Sequence, residues 1–372
     1  MAADGLYIGL ISGTSADGID AALVSFAGHR PDLVASHLHP YPAATRQRLL
    51  SLFTPGADQL DLMGALDVEL GELFAQASLT LLRKAGVAAS AVAAIGSHGQ
   101  TIRHRPRAAA PFTLQIADPN RIAHTTGIDV VADFRRRDLA CGGEGAPLAP
   151  LFHQACLGAP EETRVILNLG GIANITLLPA ADQSQGPMAM DTGPASCLLD
   201  AWCQQHRQAQ FDVDGAWAAG GQPDAALVQR WLTDPYFAQP APKSTGREYF
   251  HLEWARSLAG PVMEGLPAQD VQATLLELSA RSVAEAVAQL PLAVDRVLVC
   301  GGGAHNSALM SRLHQLCLCP VNSVQALGLD PDWIEAMCFA WLARCRLQGT
   351  ALDTRPFTGA RDRVPLGGIY SA

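Results

Sequence analysis

The sequence predicts an α/β protein built as two related halves with a nucleotide gripped between them. Three segments carry that prediction. The apolar run Leu6–Ser12 breaks into Gly13-Thr14-Ser15-Ala16-Asp17-Gly18 and resumes over 19–26. In the second half, Val165-Ile166-Leu167-Asn168-Leu169 runs into Gly170-Gly171 and returns as Ile172–Leu178. A third apolar strand, Arg296-Val297-Leu298-Val299-Cys300, ends in Gly301-Gly302-Gly303, and a helix follows from Ser307. Glycines let a backbone approach a ligand closely, and successive peptide N–H groups form an anion nest. One Gly-rich hairpin is an ordinary turn. Its repetition, joined by a third glycine turn, favours a duplicated domain.

The remaining elements follow in order. After the first hairpin a third strand is expected over 33–39, with turn chemistry on both sides. Leu66, Leu70, Leu73, Phe74, Ala77 and Leu81 recur at helical spacing, so 62–84 reads as a long amphipathic helix ended at Gly86. Short strands are expected at 91–96, 112–116 and 129–132, and the second unit begins near Arg164. Residues 188–190 form a strand before Asp191-Thr192-Gly193-Pro194, with a helix from about Ala195, and 333–347 is an apolar helix. A dinucleotide G-x-G-x-x-G is incomplete, and no G-x-x-x-x-G-K-[ST] occurs, which removes the P-loop NTPases.

Composition narrows the partners. With 372 residues and 49% hydrophobic content, the chain supports two domains with substantial cores. Its net charge is −9, and its 26 Lys and Arg form no long block, so no nucleic-acid partner is expected. Nine cysteines, an odd number in mostly apolar surroundings, read as reduced thiols of a cytoplasmic protein. Cys317 and Cys319 form a C-x-C pair without a second pair, short of the zinc spacings. The apolar run after Gly5 is too short for a signal peptide, and no segment approaches the ~18 apolar residues of a membrane helix. A cytoplasmic protein with no membrane partner is expected.

The three glycine turns, in this order, resemble the phosphate-1, phosphate-2 and adenosine elements of the actin/Hsp70/sugar-kinase superfamily. Within it, six segments resemble the anhydro-N-acetylmuramic acid kinase family. They are Ser12-Gly13-Thr14-Ser15-Ala16-Asp17-Gly18-Ile19-Asp20, Gly96-Ser97-His98-Gly99-Gln100-Thr101, Asn168-Leu169-Gly170-Gly171-Ile172-Ala173-Asn174, Asp191-Thr192-Gly193-Pro194, Pro242-Lys243-Ser244-Thr245-Gly246-Arg247-Glu248 and Gly301-Gly302-Gly303-Ala304-His305-Asn306. The resemblance spans residues 6 to 361. Three places depart from the family pattern: Ala16 stands where Met or Leu is usual, Glu144 where Gln is usual, and Ala195-Ser196 where Gly-Asn is common.

This resemblance implies a two-lobed actin/Hsp70/sugar-kinase-like ATPase fold, with duplicated mixed-sheet domains and an interdomain nucleotide cleft. The expected lobes are 1–134 plus 355–372, and 135–354, each with a five-stranded mixed sheet. The implied enzyme is a cytoplasmic homodimer of cell-wall recycling. It opens the 1,6-anhydro bridge of anhydro-N-acetylmuramic acid with water while ATP phosphorylates O6, giving N-acetylmuramic acid 6-phosphate. Two other readings stay open on the residues alone: an ordinary sugar-hydroxyl kinase of the same fold, and a chaperone-like ATPase without small-molecule chemistry.

Water attack on the anomeric carbon calls for a general base, and Asp191 is the candidate. The alternative for Asp191 is a helix cap. Phosphoryl transfer needs positioning and charge neutralisation. Ser12, Gly13, Thr14, Ser15, Asp17, Gly18 and Asp20, with Asn168, Gly170 and Gly171, are the expected phosphate-binding residues; Gly301, Gly302, Gly303 and Asn306 are expected at the adenosine. Mg²⁺ is expected near Asp17 or Asp20, although Asp17 beside Gly18 also suits a local turn contact. For the sugar, the candidates are Ser97, His98, Gln100, Thr101, Asp133, Arg135 and Glu335. A guanidinium such as Arg135 suits the lactyl carboxylate of a muramic acid. His98 is expected to be exposed by its Gly-rich stretch, the alternative being a satisfied buried histidine. A carboxylate at Glu335, amid apolar neighbours, needs a partner or a task.

Overall fold

The computed structural model describes residues 5–13, 15–28 and 30–372. Among them the strands are β1 (Leu6–Ser12), β2 (Gly18–Ser25), β3 (Asp32–Pro40), β4 (Val92–Arg105), β5 (Phe112–Ile116), β6 (Val130–Ala132), β7 (Arg164–Leu169), β8 (Ile172–Leu178), β9 (Met188–Pro194), β10 (Arg296–Cys300), β11 (Val321–Ser323) and β12 (Gly368–Tyr370). They build two sheets. One runs β12-β6-β4-β1-β2-β3, with β5 paired to β4, and the other runs β11-β10-β7-β8-β9.

The two sheets share one plan. In the first, β1, β2 and β3 form an antiparallel meander, β1 pairs parallel with β4, and β4 pairs parallel with β6. In the second, β7, β8 and β9 repeat the meander, β7 pairs parallel with β10, and β10 pairs parallel with β11. The fold is therefore the duplicated mixed-sheet α/β architecture the glycine turns predicted. The first sheet has seven strands rather than five, because the β4–β5 hairpin and the C-terminal β12 extend the repeated plan.

The chain divides into two compact units, Met1–Cys156 with Trp333–Ala372, and Leu157–Asp332. Residues 135–156 and 333–354 thus belong with the first unit, whereas the expected lobe boundaries put them in the second. The Ile334–Leu347 helix explains the second of these segments, since it packs on β1, β4 and β2. Gly9 and Gly96, paired across β1 and β4, make that packing unusually close. A Cβ at Gly9 would overlap the carbonyl oxygen of Ala336, and one at Gly96 would overlap that of Phe339.

In the first unit the Leu60–Ala85 helix buries Leu66, Leu70, Phe74, Ala77 and Leu81 against the sheet and stops at Gly86, whose left-handed backbone closes the last turn. Each large apolar side chain so buried contributes about 1.5–3 kcal/mol. In the second unit the Ala268–Ala288 helix fills the core, and the sequence did not signal it. Its buried face includes Gln272, Thr274, Ser279 and Ser282, which interrupt the apolar period. No helix among the described residues is long and apolar enough to cross a membrane.

Candidate active site

The first unit presents the β1–β2 hairpin tip. Thr14 lies outside the described residues; the others are placed. Ala16 N–H donates to Gly13 O, closing the turn, and Ser15 Oγ donates to Asp17 Oδ1 at 2.8 Å. The local contact considered for Asp17 is thus formed, and its side chain remains exposed. Ala16, where the family usually has a larger residue, is fully buried. Ser12 is also buried, and its Oγ donates to Gln100 Oε1, while Gln100 Nε2 donates to Gly13 O at 3.1 Å. Gln100 therefore braces the hairpin from β4, a different job from the sugar contact expected of it.

Asp17 and Asp20 flank the tip at the entry to β2. Among the described residues no group of three or more His, Cys, Asp or Glu gathers into a metal cage. A magnesium ion keeps several waters and takes much of its shell from substrate phosphates, so one or two carboxylates suffice.

β4 runs on through the whole Ser97–Thr101 motif instead of ending at Gly96. This buries His98, contrary to the exposure expected from its glycine-rich surroundings. Its ring lies 4.7 Å from that of Phe339. Burial, then the neighbouring Arg135 charge, push the imidazole pKa well below its usual value, so the ring is neutral. A neutral ring donates from one nitrogen and accepts at the other. Nδ1 therefore donates to Gly99 O at 3.0 Å, and Nε2 accepts from Arg135 Nε at 3.0 Å. Both nitrogens are taken by protein partners. Ser97 is buried with its hydroxyl unpartnered among the described residues, and Thr101 Oγ1 accepts from Gln115 Nε2 on β5.

Arg135 is held from two sides, by His98 and by Gly145 O at 2.8 Å from Nη1. Its Nη2 makes no hydrogen bond to the described residues. Arg136 and Arg137 are exposed, and Arg136 pairs loosely with Asp133 at 3.5 Å. Burial raises the Asp133 pKa, and its backbone adopts a positive φ of 59°. Glu335, on the first turn of the Ile334–Leu347 helix, is exposed and has the Arg135 charge as a neighbour. Asp138 was missed by sequence reading. Fully buried, it accepts from Gly145 N–H at 2.7 Å and from Thr358 Oγ1 at 2.9 Å, pinning the loop that carries Arg135's carbonyl partner. An acid directly after three arginines gave no hint of burial. The departure at Glu144 is spent on an ion pair with the exposed Arg107 at 2.8 Å.

In the second unit Asp191 lies inside β9, opposite Asn174 on β8. The strand outlasts its expected end at 190 because a bulge keeps 191–194 paired with β8. Asp191 caps no helix. The following helix, Ser196–Arg207, takes Ala195 at its N-cap, and its first N–H groups donate to Gly170 O and Gly171 O. The departures at Ala195 and Ser196 thus sit directly against the second glycine turn. The Asp191 carboxylate instead accepts from Thr245 N–H at Oδ2, 2.8 Å, while Oδ1 takes no hydrogen bond from the described residues. Burial raises its pKa to about 6; the Thr245 N–H bond opposes this and the Glu248 charge adds to it. In the sequence Glu248 is only the last residue of the 242–248 motif.

Gly171 lies beneath the Arg247 guanidinium, which a Cβ there would displace. Gly301 and Gly303 pack against Asn168 and Leu169 at the end of β7, with no room for a Cβ, whereas Gly302 faces open space. Asn306 caps the Ser307–Leu316 helix, its Oδ1 accepting from Leu309 N–H at 2.9 Å. The second unit therefore carries the glycine turn 170–171, the 301–303 turn and Asp191, and it gives Asn306 a structural task.

A sequence profile of the anhydro-N-acetylmuramic acid kinase family matches residues 5–372. A protein of that name from Xanthomonas axonopodis pv. citri is 53% identical, over 99% of this chain and 98% of its own length. Another of that name, from Coxiella burnetii, is 49% identical over 98% of this chain and 97% of its own. The solved activator of the 2-hydroxyisocaproyl-CoA dehydratase from Clostridium difficile, with bound ADPNP, is 15% identical, with a TM-score of 0.46 over 92% of this chain and 96% of that one. This chain belongs to the anhydro-N-acetylmuramic acid kinase family.

Proposed function

We propose that this chain uses ATP to phosphorylate O6 of 1,6-anhydro-N-acetylmuramic acid while water opens the anhydro bridge, with Asp191 as the general base. Family membership supports the kinase role in cell-wall recycling. The observation that carries the mechanism is the state of Asp191: one carboxylate oxygen held by Thr245 N–H, the other without a donor among the described residues, and a pKa of about 6. Such a group is mostly ionised at neutral pH yet basic enough to take a proton from water as the water attacks the anomeric carbon. The bond from C1 to the bridging oxygen breaks, and that oxygen, now O6, receives the γ-phosphoryl group.

The remaining residues position charge. The backbone N–H groups of the 13–18 and 170–171 turns suit the phosphates. Asp17 and Asp20 would hold Mg²⁺, which supplies charge neutralisation when bound. Arg135, fixed by His98 with Nη2 to spare, suits the lactyl carboxylate. His98 and Gln100 support from behind. A cytoplasmic homodimer completes this reading, as family resemblance implies.

Labelled water separates bridge opening from simple phosphorylation. In H₂¹⁸O the label should appear at C1 of the product; phosphorylation without label at C1 would favour the ordinary hydroxyl kinase. Arg135→Gln should raise the sugar KM about 10-fold or more and leave the ATP KM unchanged, as expected for losing a charge-assisted contact. An unaltered sugar KM would remove Arg135 from the binding site.

A further inference from the structure

The loop 242–248 holds the Asp191 carboxylate through Thr245 N–H, and its lysine remains without a role. A lysine in a Ser/Thr/Gly loop of a kinase invites assignment to phosphate. The hydrogen bonds point elsewhere. Lys243 Nζ donates to Tyr236 O at 3.1 Å and to Phe237 O at 3.0 Å, and lies 4.8 Å from the Tyr236 ring. Its backbone carbonyl accepts from Asp191 N–H at 3.0 Å. Tyr236 Oη donates to Asp191 O at 2.9 Å, and two residues past Lys243 the Thr245 N–H holds the Asp191 carboxylate.

These contacts close a ring. Asp191 is gripped by its N–H, its carbonyl and its carboxylate, and the Lys243 ammonium ties the two gripping segments together. We propose that Lys243 is a positioning residue that locks the Asp191 carboxylate in place, and not a ligand for phosphate or sugar. The proposal rests on Asp191 being the general base. Burial, which lowers the Lys243 pKa, agrees with an ammonium spent inside the protein.

Lys243→Met keeps the aliphatic stem and removes the ammonium. Steady-state kinetics with ATP and 1,6-anhydro-N-acetylmuramic acid should then show kcat lowered about 10-fold or more, with the ATP KM unchanged. The acid limb of kcat/KM should move to higher pH, because a loosened Thr245 N–H stabilises the carboxylate less. Lys243→Arg, which retains donors for both carbonyls, should recover most of the rate. A raised ATP KM with an unmoved acid limb would make Lys243 a phosphate ligand and overturn the proposal. If Lys243→Met fails to fold, Tyr236→Phe removes only the hydroxyl on Asp191 O. Its acid limb should shift the same way, and an unmoved limb would equally overturn the proposal. Should Asp191→Asn retain its rate, the base assignment fails; should it lose the rate while both other variants keep the wild-type limb, the lock alone fails.

Discussion

Asp191→Asn should abolish nearly all turnover while making the protein more stable above pH 6. The kinetic half follows from removing a general base, an effect of about 10²–10⁴-fold. Retention of more than about a tenth of the rate would reject the assignment, since no positioned base contributes so little. Nucleotide binding, measured by titration calorimetry, should be kept.

The stability half follows from the raised pKa. The folded-state pKa is about 6 against an ordinary 3.8, so the folded protein prefers the protonated acid. That preference contributes stability fully below pH 3.8, and it is lost as pH rises through 6. A difference of roughly two pKa units corresponds to on the order of 3 kcal/mol. An amide that keeps the Thr245 N–H bond escapes this cost. The stability gained by the variant should therefore be near zero at low pH and grow toward pH 7.5. Urea unfolding across that range measures it, and a pH-independent difference would show that Asp191 is not a strained acid.

Gly9→Ala should be the most destabilising single-methyl addition in the first unit. The new Cβ would meet the Ala336 carbonyl and the Ala340 amide, both backbone atoms of a packed helix that cannot rotate aside. Ordinary overpacking costs about 1–3 kcal/mol; a clash with helix backbone should exceed that range. Glu335 rides on the same helix, so if it lines the sugar site the sugar KM should rise along with the loss of stability. A cost under about 1 kcal/mol by urea denaturation would mean that the sheet yields readily, against the stiffness of packed interiors.

Elements whose local chemistry agreed with their packing were legible in advance. The two glycine hairpins, the 60–85 helix and the strand into Gly301 fall where periodicity and turn residues put them. Legibility failed where long-range contacts decided the outcome. His98 is expected to be exposed by its Gly-rich stretch, yet pairing with β1 and β5 carries the strand through Ser97–Thr101 and buries the histidine. His98, Gln100 and Asn306 carry polar atoms that suit a ligand, and each is committed to a protein partner far away or along the chain. Asp191 stands out in the sequence as an acid after a short strand, but the groups that surround it do not. Tyr236, Thr245 and Glu248 lie some 45 to 57 residues downstream, and no spacing rule connects them to it.

Copying a scaffold relieves each copy of doing everything. Here both meanders offer the same bend between their first two strands, but their third strands differ: Asp32 in the first is exposed, whereas Asp191 in the second is held by Lys243 O, Tyr236 Oη and Thr245 N–H. The other copy bears a histidine-steadied arginine on an elongated neighbour-strand framework. If Arg135 and Asp191 act as proposed, mutations that retune sugar preference would accumulate in one half without disturbing proton transfer in the other, and such an enzyme would change its diet while keeping its chemistry.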